Sequence, residues 1–213
     1  MTSPIDAVVA IHNAFRRDIA QIDDAALGTA RGKAGLEETL DRFRFMTEVL
    51  VWHADGEEQG MFVELEGVAP CVAEAYEKDH RALDAAFDRL SAAVTVRDAL
   101  ETARSTAAFR YYLDVHLAKE DAHLYRIIRE RVSVEDQAKA VGVMAGGVPQ
   151  DRFPEFVSWL YPLLGDRDRE NMTLVWQMLM PEAVFTGACG LIQQAIGAEY
   201  EELARRIPEL VTV

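Results

Sequence analysis

Five histidines occur in this chain: His12, His53, His80, His116 and His123. Four of them fall one to a helical segment, each in the middle of an apolar stripe. Two are followed four residues later by a glutamate, His53 by Glu57 and His116 by Glu120. Positions i and i+4 lie one turn apart on the same face of a helix, so each pair presents a nitrogen and an oxygen donor in one direction. A lone histidine on an apolar stripe is ordinarily a satisfied core residue. A buried glutamate is rarer, because an unpaired carboxylate in an apolar core costs several kcal/mol. Two glutamates and four histidines converging in one core make a poorly compensated polar cluster without a cation, and a coordination shell with one or two divalent ions. Two bridging carboxylates with two histidines for each ion suit a dinuclear iron centre, whose open positions favour redox chemistry over a structural role. A mononuclear zinc site is the alternative, although it leaves ligands over.

The elements that must position these residues read as helix throughout. Alanine, leucine, glutamate and arginine are abundant and strand-like alternation is nearly absent. Ile5, Val8, His12, Phe15, Ile19 and Ile22 recur at steps of three and four and predict a first helix over residues 4–25, with Pro4 in its first turn. Residues 28–35 read as a linker. A second helix is expected over 35–66, with Phe45 or Met46, Val49, His53, Glu57, Met61 and Glu64 on its inner face. A third is expected over 71–93 with Val72, Tyr76, His80, Leu83, Phe87 and Leu90, and a fourth over 96–131 with Phe109, Tyr112, His116, Glu120, His123 and Ile127. Four amphipathic helices with short connections predict an all-α, up-down four-helix bundle over residues 1–131.

Residues 132–213 read as a C-terminal helical extension of two to four helices, without a titratable constellation. A start is expected at Ser133, an apolar segment over 154–164, a helix over 170–180 and a last helix over 183–206 stopped by Pro208. The apolar content here, Trp159, Leu160, Leu163, Trp176 and Met178 among it, calls for burial against the bundle or a second chain, so a homodimer is one expectation.

Half of the 213 residues are apolar and 27% are charged, a globular balance that argues against disorder. The formal net charge of -14, from 36 acids against 22 bases, repels phosphate backbones and anionic lipid surfaces, so neither nucleic acid nor membrane is an expected partner. No stretch reaches the roughly 20 apolar residues that span a bilayer. The first residues lack the basic and apolar regions of a secretion signal, and two distant cysteines, Cys71 and Cys189, read as reduced and buried, so a cytoplasmic location is expected.

The series His12, His53-Ala-Asp-Gly-Glu57-Glu58, His80 and His116-Leu-Ala-Lys-Glu120-Asp121, with the phrase Ile11-His12-Asn13-Ala14-Phe15-Arg16-Arg17, resembles the hemerythrin-like, or HHE cation-binding, family over residues 5–131. The segment beyond 131, with Trp159-Leu160-Tyr161-Pro162-Leu163-Leu164 and Met180-Pro181, is similar to an extension found in some bacterial members. The resemblance implies two iron ions per chain, His12 and His53 on one and His80 and His116 on the other. Glu57 and Glu120 would bridge them together with an oxo or hydroxo group. Oxygen carriers of the family use five histidines, two of them four residues apart on the third helix. Here Tyr76 stands four before His80 and Asp84 four after it, so one iron is expected to lack a nitrogen ligand and to keep an open position that the Tyr76 phenol reaches. In the carriers the second bridging acid lies five after its histidine, which here is Asp121. On an ideal helix Asp121 points about 140° from His116, and Glu120 is preferred.

His123, Glu58 and Asp121 remain as further candidate ligands, His123 as an added donor or a partner of the ligands, Glu58 as a terminal ligand or a solvated acid. The expected partner is a diatomic or peroxide molecule: oxygen, nitric oxide or hydrogen peroxide. Three functions share this ligand set, namely a non-enzymatic binder or sensor of small oxidants or of iron, a di-iron enzyme decomposing peroxide, and a structural metal site in an interaction module. No nucleophile elbow, phosphate loop or dinucleotide fingerprint competes.

Overall fold

The computed structural model describes residues 2–33, 36–207 and 210 of the chain. Among these there is helix and no strand. Four long rods make the bundle. The first is α1 (Ile5–Ala30). The second is α2 (Leu36–Gly56), which runs through a π turn at Glu57–Met61 into α3 (Phe62–Val68). The third is α4 (Ala73–Thr95). The fourth is α5 (Ala99–Lys119), which runs through a second π turn at Glu120–Leu124 into α6 (Tyr125–Arg131). α1 packs on α2 and α5, and α4 packs on α5. Below the histidines the rods are held by apolar contacts such as Phe43 stacked on Phe87, 5.5 Å between ring centres, with Phe109 edge-on to both.

The connections are capped by side chains. The Glu66 carboxylate accepts from the backbone N–H of Cys71 at 3.0 Å and of Ala73 at 3.2 Å, closing the α3–α4 turn in which Cys71 takes φ +67°. Asp98 caps α5 by accepting from the N–H of Glu101, and Ser133 caps the next helix by accepting from the N–H of Asp136.

The extension contains more helix breaks than expected: α7 (Val134–Gly146), α8 (Phe153–Leu163), α9 (Asp166–Leu179), α10 (Glu182–Ile196) and α11 (Tyr200–Arg206). The expected last helix is divided because Gly197 takes φ +55° and a 3-10 turn follows; Pro208 lies outside the described residues, as does Gly35. The extension packs on the bundle, with α8 and α9 against α1 and α7 against α2 and the first π turn. Trp159 donates its indole N–H to the buried Asp18 at 2.7 Å, and Arg152 reaches Glu48 at 2.6 Å. Met178, expected to be buried, is exposed, and so is Cys71.

α7 approaches the bundle closely because Gly56 and Gly60 face it. A Cβ at Gly60 would lie 2.8 Å from the Ala140 carbonyl oxygen, and one at Gly56 would lie 2.8 Å from Met144 Cα. Both glycines flank or belong to the turn that carries Glu57.

The two π turns displace the expected inner faces by one position. In the second rod Met61 and Phe62 are followed by buried Leu65, while Glu64 is only half-buried. In the fourth, Leu124 and Ile128 take the places expected for His123 and Ile127. Each π turn inserts one residue into the α repeat, so every side chain beyond it rotates by about 100°. Tyr112, before the second turn, is exposed because its face belongs to Phe109 and Leu113.

Candidate metal centre

Four rods deliver one histidine each to the middle of the bundle, and two of them add a glutamate one turn on. The donor atoms of His12, His53, Glu57 and Glu120 lie within 4.8 Å of one another, and so do those of Glu57, His80, His116 and Glu120. The two groups share both carboxylates. His12 Nε2 stands 3.0 Å from His53 Nε2 and 3.6 Å from Glu120 Oε2, and His53 Nε2 stands 3.4 Å from Glu57 Oε1. In the other group His80 Nε2 is 3.5 Å from Glu57 Oε2, and His116 Nε2 is 3.2 Å from Glu120 Oε2. Both glutamates are 0% exposed.

The donor set fits a cation pair on two counts. First, Glu57 Oε2, His80 Nε2 and both oxygens of Glu120 are buried without a hydrogen-bond partner in the protein. Buried polar atoms of this kind are otherwise costly. Second, the charges are unbalanced. Burial pushes both carboxyls up. At Glu57 the surrounding His53, His80 and His12 outweigh burial and hold its carboxyl well below the usual range. At Glu120 burial is reinforced by the charges of Glu57, Asp121 and Asp79, and its carboxyl is held well above that range. The pair thus keeps one charge and one proton unless a cation compensates the second charge. The His116 imidazole is pushed down to about 3, by burial first and by its neighbours His80 and His12, with Glu57 opposing. It is therefore neutral, the state in which imidazole binds metal.

The residues that follow the two glutamates hold the outer nitrogens of the opposite histidines. His12 Nδ1 donates to Asp121 at 2.9 Å, and Asp121 also accepts from Arg16 at 2.6 Å. His80 Nδ1 donates to Glu58 at 2.8 Å. These hydrogen bonds fix each ring with Nε2 turned inward. Glu58 and Asp121, considered above as ligands, therefore orient histidines and do not join the donor groups. Glu120 rather than Asp121 faces inward because the i+4 spacing from His116 is still ordinary α-helix at that point. His123 is exposed and lies outside the site, since the π turn carries it off the inner face.

Tyr76 is buried, but its hydroxyl donates to the Lys119 carbonyl at 3.4 Å, at the start of the second π turn. Burial and the Glu120 and Asp79 charges push it up to about 12. The phenol that faces the donors is Tyr125, which the inner-face pattern missed. It donates to Glu57 Oε1 and stands 3.5 Å from His12 Nε2. The expected asymmetry between the two ions also changes. Each group has two histidines and two shared carboxylates, so the difference lies in the neighbours. Tyr125 flanks the His12 and His53 group, while Phe62 stacks on His80 with ring centres 5.5 Å apart. Both aromatics stand five residues after a shared glutamate, at the position whose backbone N–H closes the π turn onto that glutamate's carbonyl. A signal for this was in the chain: His-x3-Glu, an acid, x3 and an aromatic ring, at 53–62 and again at 116–125.

Residues 3–128 match the hemerythrin HHE cation-binding domain. The chain belongs to the hemerythrin HHE cation-binding family. Among curated proteins, this hemerythrin-like chain is similar to the zinc finger protein BRUTUS of Arabidopsis thaliana, 25% identical over 197 residues that cover 86% of this chain and 16% of that protein. It is also similar to two BRUTUS-like zinc finger proteins of the same plant. These are 23% and 22% identical over 84% and 85% of this chain, and 15% and 17% of their own lengths. The chain thus spans less than a fifth of the curated relatives it matches. No solved structure gives a significant match. No helix among the described residues is long and apolar enough to cross a membrane.

Proposed function

We propose that this hemerythrin-like chain is a dinuclear iron-binding module that binds or reacts with a small oxidant. The observation that carries the reading is the pair of four-donor groups sharing Glu57 and Glu120. Two imidazoles and two shared carboxylates would leave coordination positions open on an ion held by either group, whereas structural zinc sites are closed. Imidazole and carboxylate together suit iron, which when bound supplies one-electron redox chemistry at those positions.

The chain's own residues do three things here. His12 and His80 are held in the binding tautomer by Asp121 and Glu58. Arg16 pairs with Asp121 at 2.6 Å and offsets part of the charge of that outer acid. Tyr125, whose phenol is pushed well up by burial and by the charges of Glu57 and Glu120, keeps its proton and donates it to Glu57 Oε1. It fixes the shared carboxylate and offers a proton donor beside the His12 and His53 group.

Metal analysis of protein purified from its own host tests the reading, together with an absorption spectrum before and after oxidation. Two irons per chain and a new near-ultraviolet band on oxidation are expected. One zinc per chain with a featureless spectrum overturns it.

A further inference from the structure

Of the four inward histidines, His12 is the one whose outer nitrogen is tied to the extension. Its Nδ1 donates to one oxygen of Asp121 at 2.9 Å, and the Arg16 guanidinium reaches the other oxygen through Nη2 at 2.6 Å. Nη1 of the same guanidinium donates to the Asn13 side-chain oxygen at 3.1 Å. The Asn13 amide in turn donates to Asp168, in the first turn of α9, at 3.2 Å. Donors and acceptors alternate along the row, so no link competes with the next. Arg16, Asn13, Asp121 and Asp168 are all half-buried. The other three rings have no such path. His80 Nδ1 ends on Glu58, which is exposed, and the Nδ1 atoms of His53 and His116 are buried without a hydrogen-bond partner.

The far end of the row is held in place by helix packing. Arg17 donates to the Leu163 carbonyl, and a Cβ at Gly165 would lie 3.1 Å from the Arg17 guanidinium. Trp159, on α8, donates to Asp18 at 2.7 Å. The α8–α9 turn is therefore fixed on α1 one turn from Asn13, and Asp168 follows that turn by three residues.

We infer that Asp168 and Asn13 are positioning residues of the metal centre: through Arg16 and Asp121 the extension holds the His12 ring in its metal-binding orientation and so sets the affinity of the half formed by His12 and His53. The inference rests on the proposed metal-binding function and names the part of the chain that tunes it. An isolated ion pair near the surface loses much of its gain to water and to the ordering of a long side chain. Here the Asn13 oxygen holds the second arm of the guanidinium fork, so Arg16 meets Asp121 already ordered. Asp168 fixes which way the Asn13 amide faces. Turned round, the amide would aim its NH2 at the guanidinium and its oxygen at a carboxylate, and neither contact is a hydrogen bond. Without Asp168 the amide is free to rotate, Arg16 is free to swing towards solvent, and the acid that orients His12 loses its anchor.

The experiment titrates the full chain, freed of metal, with ferrous ion under anaerobic conditions against a competing chelator. It also follows solvent exchange of the His12 Nδ1–H proton by NMR in the metal-free chain. Asp168→Ala is expected to weaken iron binding by about fivefold, less than the roughly 10–100-fold typical of a ligand's direct partner, and to speed the Nδ1–H exchange. In a chain already carrying Arg16→Met the same change is expected to add no further loss, because the row is already cut. Asn13→Leu removes both middle links and is expected to act as Asp168→Ala does, so a poorly folded Asp168→Ala does not decide the matter. Arg152→Gln cuts a different tie of the extension, one that ends on Glu48 and not on an acid that holds a histidine; affinity and exchange are expected to stay in place. Unchanged iron affinity in Asp168→Ala and Asn13→Leu overturns the inference, and so does an equal loss in Arg152→Gln. The exchange readout needs no metal. A chain whose Nδ1–H responds as expected but which takes up no iron overturns the proposed function and keeps the row as what holds His12.

Discussion

Glu57 and Glu120 are chemically alike and buried alike, yet their surroundings assign them opposite states. Three histidines face Glu57 and hold its carboxyl well below the usual range; burial and the charge of Glu57 hold that of Glu120 well above it. Glu120→Gln is therefore expected to leave the thermal midpoint of the metal-free chain in place, because the amide resembles the protonated acid. Glu57→Gln is expected to lower the stability of the metal-free chain by about 1–3 kcal/mol, since its partners are left unsatisfied. Both variants are expected to lose metal. Calorimetry of the chelated proteins checks this, and equal midpoints for the two variants count against the assignment. The convergence of His53, Glu57, His116 and Glu120 was legible because the His-x3-Glu spacing lies within ordinary helix, and that of His12 and His80 because each falls on an apolar stripe. Tyr125 was not legible, because its route to the site depends on an inserted residue.

At the scale of elements, the π turns set the site apart from a plain bundle. Each begins at a shared glutamate, and each turns the chain beyond it so that an aromatic residue rather than a polar one faces inward. A period of 3.6 residues cannot show this, and it misassigned Glu64, His123 and Ile127 for one common reason. The first half of each rod was legible, and so was the order of the rods. The seat of α7 on Gly56 and Gly60 was not, since a glycine in a helix also reads as a weak point. Gly60→Val would drive a methyl towards the Ala140 carbonyl oxygen. The expected cost is about 1–3 kcal/mol, as for other overpacked sites, with weaker metal binding because the same turn carries Glu57. Gly142→Ala, where a Cβ meets nothing within 4 Å, is the matched control. Urea denaturation and metal titration of the two variants check the expectation; equal metal affinity would separate α7 from the site.

The whole molecule joins a metal-binding bundle to an extension that covers one side of it. The apolar content of the tail announced that it would be covered, but not by what, because composition carries no partner. In the folded chain α8 and α9 lie on α1, and Trp159 is tied to the buried Asp18. Cutting the chain after residue 131 is expected to bare Val8, Ile11 and Val49 and to cause aggregation, while any soluble product keeps its metal, since every donor precedes the cut. Light scattering with metal analysis of the fragment checks this; a monodisperse fragment as stable as the full chain would contradict it. Two ions are expected between the paired histidines, sharing both glutamates. Anomalous diffraction at the iron edge from crystals of the full chain tests it most directly. Two peaks roughly 3–4 Å apart are expected, one beside His12 and His53 and the other beside His80 and His116, with Glu57 and Glu120 touching both. A single peak, or two peaks that do not share these carboxylates, would contradict it.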